Sequence, residues 1–215
     1  MEELAMGGKW INIFVASLVI GLSGCASMNA DECMASDWFA IGHEDGSRGY
    51  TSDQLGNYRK ACAKHGVSPD FSAYQSGRDQ GLVEFCQPGR GFDYGVNGGQ
   101  YRGVCSVESE AGFLDAYRAG HELYTLRSHV NQANSQIYNK KNELEVAEKS
   151  AAATGVALVS GATTTEDRVL LLVDLKQLSE HIGQLEAEIE SLIIERARFE
   201  QDLQLYEQTV AAYNY

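Results

Sequence analysis

Phe39-Ala40-Ile41-Gly42-His43-Glu44-Asp45-Gly46 comes back thirty-five residues on as Tyr74-Gln75-Ser76-Gly77-Arg78-Asp79-Gln80-Gly81. The shared pattern is an aromatic residue, two others, a glycine, three others and a second glycine. Weaker copies are Phe92-Asp93-Tyr94-Gly95-Val96-Asn97-Gly98-Gly99 and Tyr117-Arg118-Ala119-Gly120-His121-Glu122-Leu123-Tyr124. Glycines four apart share one helical face and let a second backbone come close. Each glycine costs a helix about 1 kcal/mol relative to alanine, so tight packing is the expected compensation. Glu44, Asp45, Arg78 and Asp79 within the repeats set it apart from the membrane motif of the same spacing.

Around these repeats, a helix is expected from about Ala35 to Gly49 and a second from Ser52, as N-cap, to Gly66. A third opens at Pro69-Asp70 and runs to about Cys86, with proline and an acid suited to a first turn. Pro88 to Gly103 reads as loop. Within it, Asn97-Gly98 suits either a short hairpin or a helical turn, and the segment 92–105 stays open between the two.

Of five cysteines, Cys33, Cys62, Cys86 and Cys105 lie in or next to this glycine-rich part. Four thiols in an exported chain read as two disulfides, with three possible connectivities. If the segments holding Cys33 and Cys62 form an antiparallel helical hairpin, those two residues fall near one end, which favours Cys33–Cys62 with Cys86–Cys105. The competing zinc site would use His65 and His43, but no CxxC pair is present and exported thiols are normally oxidised. No metal ligand is assigned.

Beyond Glu108 there is no proline. Alternating steps of four and three run through Gly112, Ala116, Ala119, Leu123, Leu126, Val130, Ala133, Ile137, Lys140, Leu144, Ala147 and Ala151. A second such register starts at Leu171 and continues through Leu175, Leu178, Ile182, Leu185, Ile189, Leu192, Arg196, Phe199, Leu203, Tyr206, Val210 and Tyr213. Periodicity of 3.5 residues held this long is a coiled-coil signal. The first seam is small and the second large, so the two helices, each of about 45 residues and nearly 70 Å, are expected to pair antiparallel across a turn near 159–164. Self-association through the Leu-rich second helix is the competing arrangement. Lys140 and Arg196 interrupt the seams; their stems are expected to lie along them with the charges in water. Val156, Leu158 and Val159 cluster at the end farthest from the head and are a candidate partner contact, set against the simpler reading that they finish the seam.

At the other end, Lys9 precedes an apolar run from Trp10 to Gly21. That is too short for the roughly 20 residues of a spanning helix and suits a signal peptide. Leu22-Ser23-Gly24-Cys25 follows and resembles the lipobox of bacterial lipoproteins. The resemblance implies cleavage before Cys25, a lipid on its sulfur and, with Ala26 next, an outer-membrane address facing the periplasm. Met6-Gly7-Gly8-Lys9 makes a better basic leader than Glu2-Glu3, leaving Met1 or Met6 as the start. The organisation read from the sequence is therefore a leader over 1–24, a lipidated tether over 25–30, a disulfide-stapled glycine-rich head over 31–106 and a helical hairpin over 107–215. The fold class is all-α.

Seventeen basic residues face thirty acidic ones in 215, a formal net charge of −13. That argues against a nucleic-acid binder, which needs clustered positive charge, and disfavours adhesion to anionic lipid. Elsewhere the sequence carries no nucleophile elbow, zinc-protease helix or phosphate-binding loop. Gly89-Arg90-Gly91 lacks the strand–helix setting of a dinucleotide loop. His43, Glu44 and Asp45 are adjacent, so on a helix they do not share a face. Asp70 is expected to cap a helix and Arg78 to project beside Gly77. No catalytic residue and no cofactor are assigned.

Taken together, Glu32-Cys33, Asp37-Trp38, Ile41-Gly42, Asp45-Gly46, Ala61-Cys62, His65-Gly66-Val67, Pro69-Asp70, Gly77-Arg78, Gly81-Leu82, Cys86, Gly91-Phe92, Tyr101, Gly103-Val104-Cys105 and Ala116-Tyr117-Arg118-Ala119-Gly120 resemble the bacterial lipoprotein family of domain of unknown function 2799, over about Ser27 to Tyr124. The resemblance implies an exported lipoprotein head and carries no activity. The resulting expectation is a non-enzymatic outer-membrane lipoprotein, bound to the membrane by its lipid, with an arm reaching an envelope protein or a second copy. The alternative is a ligand- or inhibitor-binding module in which the head binds and the coiled coil only oligomerises.

Overall fold

Short polar side chains decide where the helices of the head begin. In the computed structural model, which describes residues 28–213, Asn29 and Glu32 exchange capping bonds at the start of α1 (Ala30–Ala35). Asp37 then accepts from the Phe39 and Ala40 amides and starts α2 (Trp38–Ser47). The helix expected from Ala35 is thus cut in two at Ser36-Asp37, because an aspartate side chain satisfies the orphan amides of a new helix. α3 spans Asp53–Ala63. α4, Phe71–Phe85, is capped by the Asp70 carboxylate on the Ala73 amide.

The segment expected as loop from Pro88 holds a helix instead: α5, Pro88–Val96, with proline at its first position. Proline gives up no needed amide there. Gly91 and Gly95 on one face of α5 lie against the Phe113 and Tyr117 carbonyls, and that contact offsets the poor helix propensity. Asn97-Gly98 does not turn a hairpin. It ends α5, with Gly98 at φ 72° and the Gly99 amide donating to the Tyr94 carbonyl at 2.9 Å, a glycine-terminated helix end.

Glycine contacts fix how the helices pair. A Cβ on Gly42 or Gly46 would overlap the Tyr74 or Arg78 carbonyl, and one on Gly77 or Gly81 the Phe39 or His43 carbonyl. Contact positions advance together along both chains, so α2 and α4 run parallel. α5 and the start of α6 (Val107–Val159) repeat the arrangement, with Gly120 against the Phe92 carbonyl. The head is therefore two successive copies of one unit. Nine residues separate Cys33 from Gly42 and Cys86 from Gly95; twelve separate Cys62 from Tyr74 and Cys105 from Tyr117. The first copy carries α3 between its paired helices, and the second has the connector 97–106 in its place. Each copy has one disulfide, Cys33–Cys62 and Cys86–Cys105, both with Cα atoms 5.6 Å apart. The favoured pairing is the one found, though Cys33 comes from α1 and not from a continuous α2.

Two cores follow the two copies. Cys33, Trp38, Leu55, Cys62 and Tyr74 form one. Phe85, Cys86 and Phe113 form the other, with Tyr94, Tyr101 and Tyr117 packed around them.

α6 continues well beyond the head and turns at Ser160 into α7, Thr165–Ala211. α6 at 53 residues is about 80 Å long, longer than the 45 residues expected, because its first turns also serve the head. The helices pair antiparallel: Lys140 meets Glu188 at 2.9 Å, Arg127 meets Glu207 at 3.0 Å, and the Tyr206 hydroxyl donates to the Ala119 carbonyl at 3.1 Å. From Leu171 to Val210 every seam position of α7 is buried or half-buried, and on α6 only Gly112 of the expected register is exposed. Among the described residues no helix is long and apolar enough to cross a membrane.

Candidate functional site

The densest polar group in the head lies between α2, α3 and α4. Asp45, 4% exposed, accepts from the Tyr74 hydroxyl at 2.8 Å and from Tyr58 at 3.2 Å. Trp38, Tyr58 and Tyr74 follow one another with ring centroids 6.0 and 6.2 Å apart. Arg78, also buried, sends Nε and Nη2 to the Tyr50 carbonyl at 3.1 and 2.9 Å. Burial raises the Asp45 carboxyl above its ordinary range, against the pull of the two tyrosine hydrogen bonds. Burial, with Asp45 beside it, pushes Tyr58 up to about 12 and moves Tyr74 up as well. Tyr74 is fully enclosed and Tyr58 half-buried. The cluster ties three helices together by satisfying a buried carboxylate, as such groups require.

The helix pair occurs twice in the chain: in the second copy the Tyr117 hydroxyl donates back to the Gly99 carbonyl at 2.9 Å. Residues 37–122, spanning α2 to the first turns of α6, match the family model described as a protein of unknown function (DUF2799). The match covers most of the glycine-packed head. No curated protein and no solved structure matches.

Within the matched part, the neighbours of Asp45 point elsewhere. His43 Nε2 lies 3.2 Å from Glu84 Oε1 at the surface, and Glu44 pairs with Arg48 at 2.5 Å. The three adjacent residues do not converge. Sequence reading placed Tyr74 in the repeat but not its bond to Asp45, which depends on the parallel pairing. Among the described residues no three His, Cys, Asp or Glu side chains gather as a metal site would.

A second feature of the matched part is a cavity of about 310 Å³ lined by Arg78, Asp79, Cys86, Cys105, Ser106 and Ser109, among others. Beside it the Tyr101 hydroxyl donates to Glu110 at 2.9 Å and accepts from the Cys105 amide at 3.0 Å, fixing the connector that brings Cys105 to α6.

The distal end of the arm is the third. Leu158 is half-buried and completes the seam, whereas Val156 and Val159 are 71% and 78% exposed. Val169, Leu170, Leu172 and Val173, at the start of α7, are also exposed. Five successive apolar residues wrap right round a helix, and only Leu171 turns into the seam. The end is held shut by Arg168, whose Nη1 and Nη2 donate to the Leu158 and Ser160 carbonyls at 3.1 and 2.9 Å. Those carbonyls belong to the orphan set at a helix C-terminus. The acidic start Thr165-Glu166-Asp167 was legible; the role of Arg168 was not. Cys25 and the leader lie outside the described residues.

Lys140, the seam cation, pairs with Glu188 at 2.9 Å and Glu143 at 3.1 Å at the seam's edge. Arg196 lies within reach of Glu200 and Asn134. Both stems lie along the seam, but the expected placing of the charges in water is not what is found: Lys140 puts its charge on carboxylates, and Arg196 Nε is buried without a hydrogen bond, 3.4 Å from Glu200.

Proposed function

We propose that this chain is a non-enzymatic lipoprotein of the bacterial outer membrane, lipidated at Cys25, whose arm extends into the periplasm to space or bind another envelope protein. The lipid reading rests on Leu22-Ser23-Gly24-Cys25 after a short apolar run. The observation that carries the binding role is the apolar end of the arm, where Val156, Val159, Val169, Leu170, Leu172 and Val173 are uncovered. Isolated exposed apolar side chains need no explanation, but a group of six at one projecting end marks a contact surface. The glycine faces of the head are occupied by neighbouring backbones, which disfavours a ligand groove built from them.

A photo-crosslinking residue at Leu170 in the full chain, in cells, tests the contact. The expected result is one defined adduct that disappears when Val169, Leu172 and Val173 are changed to serine with helicity retained. An adduct unaffected by those changes would remove the distal end from consideration. Mass spectrometry of the N-terminal peptide tests the anchor, which fails if the Cys25 sulfur is bare.

A further inference from the structure

The two disulfides differ in their surroundings. Cys33 and Cys62 are 1% and 0% exposed and closed in by Trp38, Leu55 and Tyr74, with Met28 and Tyr58 around them. Cys86 is also buried, at 3%, but its partner Cys105 is half-buried, and both line the 310 Å³ cavity. The backbone settings of this pair also differ. Cys86 is the C-cap of α4, at the negative end of a helix dipole. Cys105 directly precedes Ser106, the N-cap of the 53-residue α6, whose hydroxyl makes no capping bond. The buried cation Arg78 lines the same cavity. A positive helix end favours a thiolate at Cys105, and the better-stabilised thiolate is the better leaving group.

We propose that Cys86–Cys105 is a thiol-exchange site that a dithiol reductant enters through this cavity, while Cys33–Cys62 is a closed structural bridge. A reductant thiolate attacks Cys86 Sγ, the Cys86–Cys105 bond breaks, and its electron pair leaves on Cys105 Sγ. The second thiol of the reductant, deprotonated, then attacks its own sulfur in the mixed disulfide and releases Cys86. The protein gains two electrons and two protons, and the reductant becomes a disulfide. The bond being cut joins the end of α4 to the start of α6, the joint between the two helix pairs. Each pair keeps its own glycine contacts, and Phe85 stays packed on Phe113 with centroids 5.0 Å apart. Reduction therefore removes the covalent tie on the connector 97–106, leaving it held by the hydrogen bonds of Tyr101 and Tyr117, without unfolding either pair.

The oxidised full chain is exposed to dithiothreitol under native conditions, quenched with maleimide and mapped by mass spectrometry. Cys86 and Cys105 are expected to label at least tenfold faster than Cys33 and Cys62. Equal rates, or earlier labelling of Cys33 and Cys62, would overturn the assignment. With glutathione as a monothiol probe, the adduct is expected on Cys86 and maleimide on Cys105; the reverse sinks the proposed direction of attack. Ser109→Trp, placed to fill the cavity, should slow labelling of this pair at least threefold with helicity unchanged. An unaltered rate in that folded variant means the cavity is not the route.

Discussion

At the residue scale, glycines of the same helix type have opposite value according to what stands over them. A Cβ at Gly77 would run into the Phe39 carbonyl, a backbone atom of a packed helix, whereas Gly183 in α7 has nothing within 4 Å. Gly77→Ala is expected to destabilise the head by about 1–3 kcal/mol through overpacking. Gly183→Ala should stabilise by up to about 1 kcal/mol through helix propensity. Urea melts of the two variants check both signs. Asp45 makes a second prediction. The folded chain holds this carboxyl above its ordinary value because burial disfavours the charge, so on acidification it binds its proton before the unfolded chain does. The wild type therefore gains stability relative to Asp45→Asn as pH falls from 7 toward about 4, the reverse of the usual acid loss. A difference between the two proteins that stays flat with pH would refute it. The glycine face was legible in the sequence because spacing alone places Gly42 with Gly46 and Gly77 with Gly81. The Asp45 bonds were not, since which tyrosine reaches it depends on whether the helices run parallel.

At the element scale, two sorts of signal behaved differently. The seams of α6 and α7 were readable except at their outer ends, Gly112 and Tyr213, which are exposed, because a 3.5-residue repeat held over tens of residues leaves one consistent buried stripe. Helix starts were less readable where competing signals sat close together. Asp37 took over the start of α2 from Ala35, and Pro88 opened a helix in a stretch whose glycines suggested loop. There the decision came from the Phe113 and Tyr117 carbonyls, far along the chain. Arg168 is the element-scale residue that periodicity could not show, since it acts across a turn. Its guanidinium serves carbonyls of α6 from the first turn of α7. Arg168→Ala is expected to destabilise the distal end by about 1.5–3 kcal/mol, the range for hydrogen bonds to charged groups. Arg168→Lys should restore little, because one ammonium does not span both oxygens. Faster hydrogen exchange confined to about 150–175 would be the expected readout, and unchanged exchange there would show that the turn closes without it.

For the whole molecule, the arm's length becomes a variable that can be altered without touching head or distal end. Four heptad half-repeats make fourteen residues, so removing 141–154 from α6 and 174–187 from α7 returns both seams to register. It also leaves Lys140 opposite Glu188, the pair at 2.9 Å in the intact chain. The shortened protein is expected to fold with both disulfides and a maximum dimension smaller by about 21 Å, measurable by small-angle scattering. Removing twelve residues from each helix instead rotates the distal seams by nearly half a turn. They then face solvent, so that variant should lose helicity beyond the cut while the head, closed by its own glycine contacts, stays intact. The pair of deletions separates two roles proposed for the arm. If only the apolar end matters, the in-register deletion keeps the crosslink at Leu170 and loses nothing but reach. If the arm holds its partner at a set distance from the bilayer, the same deletion abolishes the crosslink although the contact residues are still present and folded.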